Sequence, residues 1–244
     1  SSCSADFGLQ GLLDRFGQIA PKVLFAVDGH TYKGKSFNHI EKISQLQKAL
    51  PSLTHTIVVP YLDENPDIHS LKNACYYKDC LEQNINHFTF SQLPFDHPLY
   101  ILYSSGTTGK PKCIVHGAGG TLMQHLKELI LHTNLKPYDR IFFYTTCGWM
   151  MWNWLVSSLA IGATLVLYEG APFYPTTNAL YDLIDKAGIN VFGVSAKFFE
   201  ASAKEGLEPY KTNALAELRT ILTTGSPLLP DSFDFVYQKV KQNN

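Results

Sequence analysis

The sequence lacks an excess of charge of either sign. Its 244 residues include 20 lysines and arginines against 21 aspartates and glutamates, for a net charge of −1. A balanced charge gives no electrostatic reason to expect binding to nucleic acid or to an anionic membrane surface. The charged fraction of 17% is low for a globular protein, so long solvated tails are not expected either.

The cysteine and histidine patterns of common metal sites are also missing. None of the five cysteines forms a CxxC pair, and the nine histidines include no HExxH. An odd, scattered set of cysteines is typical of a reducing compartment such as the cytosol rather than of a disulfide framework. We therefore expect no zinc site and no disulfide network.

Long apolar runs are absent as well. No segment reaches the ~18 apolar residues of a membrane-spanning helix, and the first ten residues, SSCSADFGLQ, lack the basic start and apolar run of a signal peptide. The sequence does not begin with Met, and its last residues, VYQKVKQNN, have the pattern of a helix in mid-course. These features lead us to expect a fragment or a truncated form.

The sequence does contain a regular alternation of apolar strands and amphipathic helices. Continuous runs of Val, Ile, Leu and Phe predict strands over 22–29, 56–62, 99–103, 112–116, 140–146, 163–169, 189–195 and 218–225. Helical periodicity predicts helices over 8–20, 38–50, 70–80, 119–132, 149–160, 177–187, 196–204, 213–218 and from about 231. This alternation is typical of the α/β class, with a mostly parallel sheet and helices on both faces. A Rossmann-type dehydrogenase is not favoured, because no GxGxxG follows an early strand.

One loop contains little that could be buried. The stretch YSSGTTGKPK, residues 103–112, lies between two predicted strands. Its two glycines permit positive φ, so that successive backbone N–H groups can face inward, and its hydroxyls and two lysines add donors and positive charge. This combination suits a polyanion such as a triphosphate, although a solvated turn would have a similar composition. The loop is not a Walker P-loop, because the second glycine and Lys110 are followed by Pro111.

This loop resembles the phosphate-binding loop of the acyl-adenylate-forming enzymes, the superfamily that includes acyl-CoA synthetases. The stretches 14–35, 144–170 and 226–237 are similar to the acetoacetate-activating branch of that superfamily. The resemblance covers essentially the whole chain. It implies that residues 1–244 are part of the large N-terminal adenylation (AMP-binding) domain, without the small C-terminal domain.

The resemblance implies ATP-dependent ligase chemistry. A carboxylate, here acetoacetate, would attack the α-phosphate of Mg²⁺-ATP, and CoA would then displace AMP to give acetoacetyl-CoA for cytosolic fatty acid and sterol synthesis. The phosphates would be held by Ser104, Ser105, Gly106, Thr107, Thr108, Gly109, Lys110 and Lys112. The adenine would contact Gly225, Ser226 and Pro227, where Ser226 departs from the usual Gly or Glu of the family.

The tryptophans cluster in one short segment. The stretch WMMWNW, 149–154, holds all three tryptophans of the chain, and Trp149 and Trp152 would share one face of a helix. Such a helix could simply belong to the core. The resemblance implies instead an acyl pocket walled by Trp149, Met150, Trp152 and Asn153, in which Trp149 blocks long chains. A Trp N–H or Asn153 could donate to the keto oxygen of acetoacetate.

Other assignments are weaker, and some family residues have no counterpart. Gly193, Val194 and Ser195 match a segment near the acyl and CoA channel, although ordinary strand-end residues would have the same pattern. His116 could be structural or contact the nucleotide, and Cys147 is interpreted as a small apolar filler. The catalytic lysine, the Mg²⁺-binding glutamate and the ribose-binding aspartate of the family do not appear in these 244 residues, which contain no metal ligand of their own.

The isolated chain is therefore not expected to complete the reaction. Two alternatives stay open: a synthetase for another short acid, and a non-catalytic nucleotide-binding form.

Overall fold

The computed structural model describes residues 1–81, 88–104 and 109–242. The chain divides into two compact units, Ser1–Gly119 and Gly120–Asn244.

The first unit contains a small parallel sheet and two hairpins. Within the described residues its helices are α1 (Leu9–Phe16) and α2 (Ile40–Ala49), and a third helix, α3 (Ala118–Lys127), starts at its end. Its strands are β1 (Val23–Val27), β2 (Gly29–Tyr32), β3 (Lys35–Asn38), β4 (His55–Val59), β5 (Ala74–Tyr76), β6 (Pro98–Ser104) and β7 (Lys112–Gly117). Strands β1, β4 and β5 form the parallel sheet in that order, whereas β2–β3 and β6–β7 are antiparallel pairs.

The helices of this unit cover the sheet with apolar faces. Leu12 and Phe16 of α1 pack with Leu46 of α2 in one buried cluster, as the helical spacing of these residues predicts. Ile43, on another face of α2, packs with Val58 of β4 in a second cluster. Each cluster therefore depends on residues from distant parts of the sequence.

A buried carboxylate joins two strand ends in this unit. Asp28 directly follows β1 and is almost fully buried. Its carboxylate accepts backbone N–H groups from Tyr61, Leu62 and Asp63 at 2.7–3.1 Å. These bonds fix the segment after β4 against the end of β1.

The second unit contains a four-stranded sheet. Its strands are β8 (Arg140–Phe143), β9 (Thr164–Leu165), β10 (Val191–Ser195) and β11 (Thr220–Thr224), all parallel, in the order β11-β10-β8-β9. Its helices are α4 (Met150–Ser157), α5 (Ala179–Ala187), α6 (Ala196–Lys204), α7 (Pro209–Thr212) and α8 (Pro230–Phe235). Single π-helical turns extend α3 over Glu128–His132 and α8 over Val236–Val240, and 3₁₀ turns cover Tyr77–Cys80 and Ser158–Ile161.

Neighbouring residues of the central strands enter two separate buried clusters. Phe142 and Phe192 belong to the cluster that includes residues of α5 and α6, whereas Phe143 and Val191 belong to the cluster that includes Trp154 of α4. Because successive side chains of a strand point to opposite faces, both faces of this sheet are covered. The expected α/β class, with parallel strands between helices, is confirmed, with the strands divided between two parallel sheets.

Two helix predictions are wrong. The helix expected over 70–80 is replaced by β5, which pairs in parallel with β4, and by a 3₁₀ turn. The helix expected over 213–218 is an irregular segment after α7. There the carboxylate of Asp185 accepts the N–H groups of Ala214 and Leu215 at 2.8 and 2.6 Å, and Leu215 has a positive φ of 46°. These interactions take the backbone donors that a helix would use.

One predicted strand is much shorter than expected, and one hairpin was not anticipated. The strand expected over 163–169 is reduced to Thr164–Leu165. The β2–β3 hairpin turns at Lys33 and Gly34, which both have positive φ (49° and 76°), as a type I′ turn requires. A helix long and apolar enough to cross a membrane is not found in the part of the chain that the structure describes.

Candidate functional site

The candidate phosphate segment lies at one end of the β6–β7 hairpin. Ser104, the last residue of β6, pairs with Lys112, the first residue of β7. Gly109 has a φ of +93°, and a Cβ atom built there would meet nothing within 4 Å. Lys110 and Lys112 are exposed. The structure describes the residues that flank this loop, including both lysines. Four residues of the loop lie outside the described residues: Ser105, Gly106, Thr107 and Thr108.

Residues at the end of α1 support this hairpin. The Gln18 side-chain amide donates to the Pro111 carbonyl oxygen at 2.8 Å, and the Arg15 guanidinium lies 5.8 Å from the centre of the Tyr103 ring. Burial raises the pKa of the Tyr103 hydroxyl, so this tyrosine stays neutral at physiological pH. Sequence reasoning missed Gln18 and Arg15, because a polar side chain near a helix end gives no indication of a contact about ninety residues away.

The arrangement at the hairpin end suits an anion. A left-handed glycine in open space lets backbone N–H groups approach a ligand without a side chain in the way. Two exposed ammonium groups follow within three residues. Among the described residues, no group of three or more His, Cys, Asp or Glu side chains could hold a metal ion. Lys110 and Lys112 therefore offer positive charge to an anionic ligand.

The remaining candidate segments of the second unit follow three adjacent parallel strands. Strand β10 lies between β8 and β11, with Gly193 opposite Phe143 and Ser195 opposite Thr224. Residues 144–149, Ser195 and residues 225–227 therefore leave the sheet at the same, carboxyl edge. Ligands of open α/β sheets bind at this edge.

The segment after β11 is an open turn. Gly225 has a φ of +93°, with nothing within 4 Å of a Cβ built there, and Ser226 and Pro227 are exposed. The Ser226 side chain takes part in none of the hydrogen bonds found among the described residues. The turn therefore offers accessible backbone and a hydroxyl to a flat ring system.

The tryptophan cluster divides into a buried and an exposed part. Trp154 is buried and meets the Phe143 ring edge-on, with ring centres 6.4 Å apart. Trp149 precedes α4 in an extended conformation and is 61% exposed, and Met150 is about half exposed. Trp152 and Asn153 are partly buried. Trp154 therefore has the core role, and Trp152 packs against the same buried cluster. Trp149 and Met150 lie on the surface after the carboxyl end of β8.

Asn153 has a side chain available to a ligand. Its backbone carbonyl accepts the Ser157 hydroxyl at 3.1 Å, whereas its side-chain amide joins none of the hydrogen bonds found among the described residues. A partly buried amide of this kind is a suitable donor to a ligand carbonyl.

The segment 193–195 has mixed roles. A Cβ atom on Gly193 would lie 2.1 Å from Cδ2 of Phe143, so this glycine makes room for the Phe143 ring. Val194 is buried in the core. Ser195 is exposed and precedes α6, so it is the residue of the three whose side chain a ligand could reach.

Two tyrosines beside the carboxyl edge were missed by sequence reasoning. The Tyr144 hydroxyl donates to the Gly170 carbonyl oxygen at 3.0 Å, and the Tyr168 hydroxyl lies 3.2 Å from the carbonyl oxygens of Ala171 and Tyr174. Burial raises the pKa of Tyr168. These bonds hold residues 168–174 next to the end of β8. The available signal was a tyrosine at or near the end of each of two predicted strands.

The two weaker candidates, His116 and Cys147, differ in their surroundings. The His116 ring packs against Tyr100 on the paired strand, with ring centres 5.2 Å apart, which fits a structural role. Cys147 is exposed, which does not support its interpretation as a small apolar filler.

Comparison with known proteins identifies the family. The family model described as AMP-binding enzyme matches residues 2–243. The chain belongs to the AMP-binding enzyme family. An acetoacetyl-CoA synthetase of Gallus gallus is 50% identical to this AMP-binding enzyme chain, over 100% of the chain and 37% of that protein. A malonamoyl-CoA synthetase of Penicillium aethiopicum is 41% identical over 98% of the chain and 36% of that protein.

A solved structure shows the same fold. The acetoacetyl-CoA synthetase from Streptomyces lividans is 44% identical, with a TM-score of 0.91 over 98% of this chain and 36% of that one. This AMP-binding enzyme chain thus spans a little over a third of the length of the relatives that it matches.

Proposed function

We propose that residues 1–244 form part of the N-terminal adenylation domain of an acetoacetate–CoA ligase. The reaction joins acetoacetate to ATP, giving acetoacetyl-AMP and pyrophosphate, and CoA then displaces AMP. The observation that carries this proposal is the meeting of three candidate segments at the carboxyl ends of β8, β10 and β11. Over the whole length of this chain, its sequence is 50% identical to that of an acetoacetyl-CoA synthetase.

The hairpin end is proposed to hold the ATP phosphates. When the carboxylate attacks the α-phosphate, negative charge moves onto the departing pyrophosphate, and fixed donors and cations stabilise that charge. Lys110 and Lys112 are exposed, and Gly109 is open to close approach. The hydroxyl and backbone N–H groups of Ser104, Ser105, Gly106, Thr107 and Thr108 are proposed to donate to the phosphates. Mg²⁺ is proposed to enter with ATP and to neutralise part of its charge.

The turn after β11 is proposed to bind the adenine. Gly225, Ser226 and Pro227 are exposed and follow the strand next to β10. The backbone of an open turn can hydrogen-bond the edge of a purine ring, and Pro227 can pack on its face. Ser226 adds one hydroxyl, which a glycine at this position would lack.

The acyl pocket is proposed to use the exposed residues of the tryptophan cluster. Trp149 and Met150 are exposed next to the carboxyl end of β8, so large apolar side chains can limit the length of the acid. The Asn153 amide is proposed to donate to the keto oxygen of acetoacetate. The exposed Ser195 is proposed to lie along the acyl and CoA channel.

A second candidate substrate is malonamate, the acid that corresponds to the name of the malonamoyl-CoA synthetase of Penicillium aethiopicum. Acetoacetate and malonamate both carry a carbonyl two carbons from the carboxylate carbon, and they differ in a methyl against an amino group. A donor such as Asn153 would serve either acid. The greater identity to the acetoacetyl-CoA synthetase favours acetoacetate.

A chimera tests the assignment. In this chimera, residues 1–242 replace the matching segment of the Streptomyces lividans enzyme, which is 44% identical to the chain. The rate of ATP–pyrophosphate exchange is then measured with acetoacetate, malonamate, butyrate and acetate. We expect exchange to be fastest with acetoacetate. A folded chimera that prefers acetate or butyrate would contradict the proposed acid, and one that prefers malonamate would favour the second candidate.

The Asn153→Ala variant of the chimera tests the keto-oxygen contact. Loss of a hydrogen bond of about 1–1.5 kcal/mol should lower exchange with acetoacetate roughly tenfold more than exchange with butyrate. Equal losses with both acids would remove Asn153 from this role. Ser157→Ala, which removes a neighbouring hydroxyl bonded to the Asn153 backbone, is the matched control and should affect the two acids equally.

The chain of 244 residues is proposed not to complete the reaction alone. A catalytic lysine, a Mg²⁺-binding glutamate and a ribose-binding aspartate are not assigned among its residues. Purified chain with ATP, acetoacetate and CoA should therefore give no acetoacetyl-CoA above background, and clear turnover would contradict this part of the proposal. The scattered cysteines support action in the cytosol, where the product would supply fatty acid and sterol synthesis.

A further inference from the structure

Two cysteines lie side by side in the first unit. Cys75 is the middle residue of β5, the edge strand of the three-stranded sheet. Cys80 closes the 3₁₀ turn Tyr77–Cys80 that follows this strand directly. Their Sγ atoms are 3.4 Å apart. Cys80 is exposed and Cys75 is partly exposed, so reagents in solution can reach the pair.

The backbone around the pair is held in place. The Tyr76 hydroxyl donates to the Pro66 carbonyl oxygen at 2.8 Å, and the Tyr77 ring meets the Phe25 ring edge-on, with centres 6.5 Å apart. Strand β5 is itself paired with β4. Besides its contact with Cys75, the Cys80 thiol makes a long contact of 3.7 Å with the Tyr76 carbonyl oxygen. The Cys80 side chain can therefore move with little loss of structure.

Bond formation needs only a small displacement. A disulfide has its sulfur atoms about 2.0 Å apart, so the two thiols, now at 3.4 Å, would have to approach by about 1.4 Å. The turn already brings residues five apart in sequence into contact. We propose that Cys75 and Cys80 form a reversible disulfide, which makes the end of β5 a redox-responsive modification site.

The chemistry requires an oxidant, and a small-molecule disulfide such as glutathione disulfide supplies it. The Cys80 thiolate attacks one glutathione sulfur, forming a mixed disulfide on Cys80 and releasing one glutathione thiolate. The Cys75 thiol then loses its proton to water, and its thiolate attacks the Cys80 sulfur. The Cys75–Cys80 bond forms as the bond to glutathione breaks and a second glutathione thiolate leaves. Two protein thiols are oxidised and one glutathione disulfide is reduced to two thiols.

The order of these steps follows from the surroundings of each sulfur. The hydrogen bond to Cys80, together with burial, raises the pKa of the Cys75 thiol, so that Cys75 holds its proton while Cys80 reacts. Cys80 is also the more exposed of the two. It is thus the first nucleophile, and Cys75 resolves the mixed disulfide.

A thiol titration of the reduced chain tests the proposal. The chain is equilibrated in glutathione buffers of increasing oxidised fraction, quenched in acid, alkylated, and measured by intact mass and peptide mapping. We expect the alkylatable thiols to fall from the five of the sequence to three, with residues 75 and 80 joined in the peptide map and full recovery on adding dithiothreitol. A stable glutathione adduct on Cys80, or five thiols that persist in the oxidising buffer, would overturn the proposal.

Single substitutions supply the controls. Cys113→Ser keeps the pair and should lose two of its four thiols, whereas Cys75→Ser should stop at the mixed disulfide on Cys80. Phenylarsine oxide, which bridges two neighbouring thiols, should protect two thiols from alkylation in Cys113→Ser and none in Cys75→Ser. If phenylarsine oxide protects the same number of thiols from alkylation in both variants, the pairing of Cys75 with Cys80 is contradicted. This result does not depend on the disulfide titrations.

Discussion

At the scale of single residues, carboxylates hold the irregular segments of this chain in place, whether buried as Asp28 is or exposed as Asp185 is. Asp28 accepts three backbone N–H groups after β4, and Asp185 accepts two in the segment after α7. Hydrogen bonds to charged groups contribute more than those between neutral groups. These aspartates therefore substitute for the regular hydrogen bonding that loops lack.

Asp28→Asn should destabilise the first unit. Asparagine keeps one accepting oxygen but places an NH₂ group where the second carboxylate oxygen accepts an N–H group, and it removes the negative charge. The free energy of unfolding should therefore fall by about 1–3 kcal/mol. Urea unfolding measures the change. Asp67→Asn is the matched control, because Asp67 is exposed and accepts one N–H group, from His69. If the free energy of unfolding falls equally in the two variants, the burial of Asp28 makes no additional contribution to stability.

His39 should make the first unit less stable in mild acid. Burial, Lys42 and His30 together lower the pKa of His39, despite an opposing contribution from Asp28, and its Nε2 lies 2.7 Å from Nδ1 of His30. A group with a lowered pKa binds fewer protons folded than unfolded, so stability is lost as the pH falls below the unfolded pKa of about 6.5.

The free energy of unfolding, measured between pH 7.5 and 5.5, should decrease with falling pH, and His39→Gln should flatten this slope. His69→Gln, at an exposed site, should leave the slope unchanged. If the free energy of unfolding of His39→Gln depends on pH as steeply as that of the unchanged chain, groups other than His39 cause the pH dependence.

Lys112 should contribute to anion binding at the hairpin end. It is exposed, opposite Ser104, and loss of one charge-assisted contact to phosphate should weaken ATP binding about tenfold. Calorimetry on the chain at low salt measures the affinity. Lys48→Ala, which removes an exposed lysine from α2, should have no effect. Equal weakening by both substitutions would indicate attraction by net charge alone.

At the scale of the elements, Gly193 shows how packing limits a strand next to the candidate site. A Cβ atom there would meet the Phe143 ring at 2.1 Å, in a fully covered part of the sheet. Overpacking of this kind costs about 1–3 kcal/mol. A glycine in a strand is thus required by the neighbouring aromatic ring, whether or not a ligand passes nearby.

Gly193→Ala should therefore lower the thermal stability of the second unit. Gly120→Ala is the control, because a Cβ there meets nothing within 4 Å and Gly120 lies inside α3, where alanine is favoured by up to about 1 kcal/mol. The first should lower Tm and the second should leave it unchanged or raise it. The double variant Phe143→Leu/Gly193→Ala should recover part of the Tm that Gly193→Ala loses, because the smaller leucine leaves room for the new Cβ. If the Tm changes of the two single substitutions simply add up in the double variant, a clash between residues 143 and 193 is not the cause.

The strands and helices with strong periodicity were predictable, and those set by distant contacts were not. Strands β10 and β11 and helices α5 and α6 follow from runs such as Val191–Ser195 that are apolar and flanked by helical patterns. Strand β5 was missed because its partner β4 is almost twenty residues away and its sequence, Ala-Cys-Tyr, is too short to show a period.

The candidate site divides in the same way. The residues 103–112 and 149–154 could be selected from composition, because glycine with lysine and a concentration of tryptophan are unusual. The supporting residues Gln18, Tyr144 and Tyr168 could not, since their roles depend on carbonyl oxygens that only the fold brings near.

At the scale of the whole molecule, apolar side chains remain on the surface of the β6–β7 hairpin. Ile114 and Val115 are neighbours in β7 and point to opposite faces, yet both are about half exposed. A hairpin exposed on both faces is a site of association with other chains. The isolated chain should therefore self-associate as its concentration rises.

Val115→Glu should reduce this association. A charge in the exposed strand opposes edge-to-edge pairing, so the weight-average mass from sedimentation or light scattering should stay closer to 27.3 kDa at high concentration. Gln92→Glu adds the same charge at an exposed site outside the hairpin and serves as the control. A similar reduction by both variants would point to net charge rather than to the hairpin.

The strand order of the second unit has a consequence for synthesis on the ribosome. The central strand β8 lies between β9 and β10, and Asn190, which bonds the Arg140 backbone, is 50 residues further along the chain. During translation β8 therefore leaves the exit tunnel well before its second neighbour. Because translation adds about 5–20 residues per second, the side of nascent β8 that pairs with β10 stays without its partner strand for seconds.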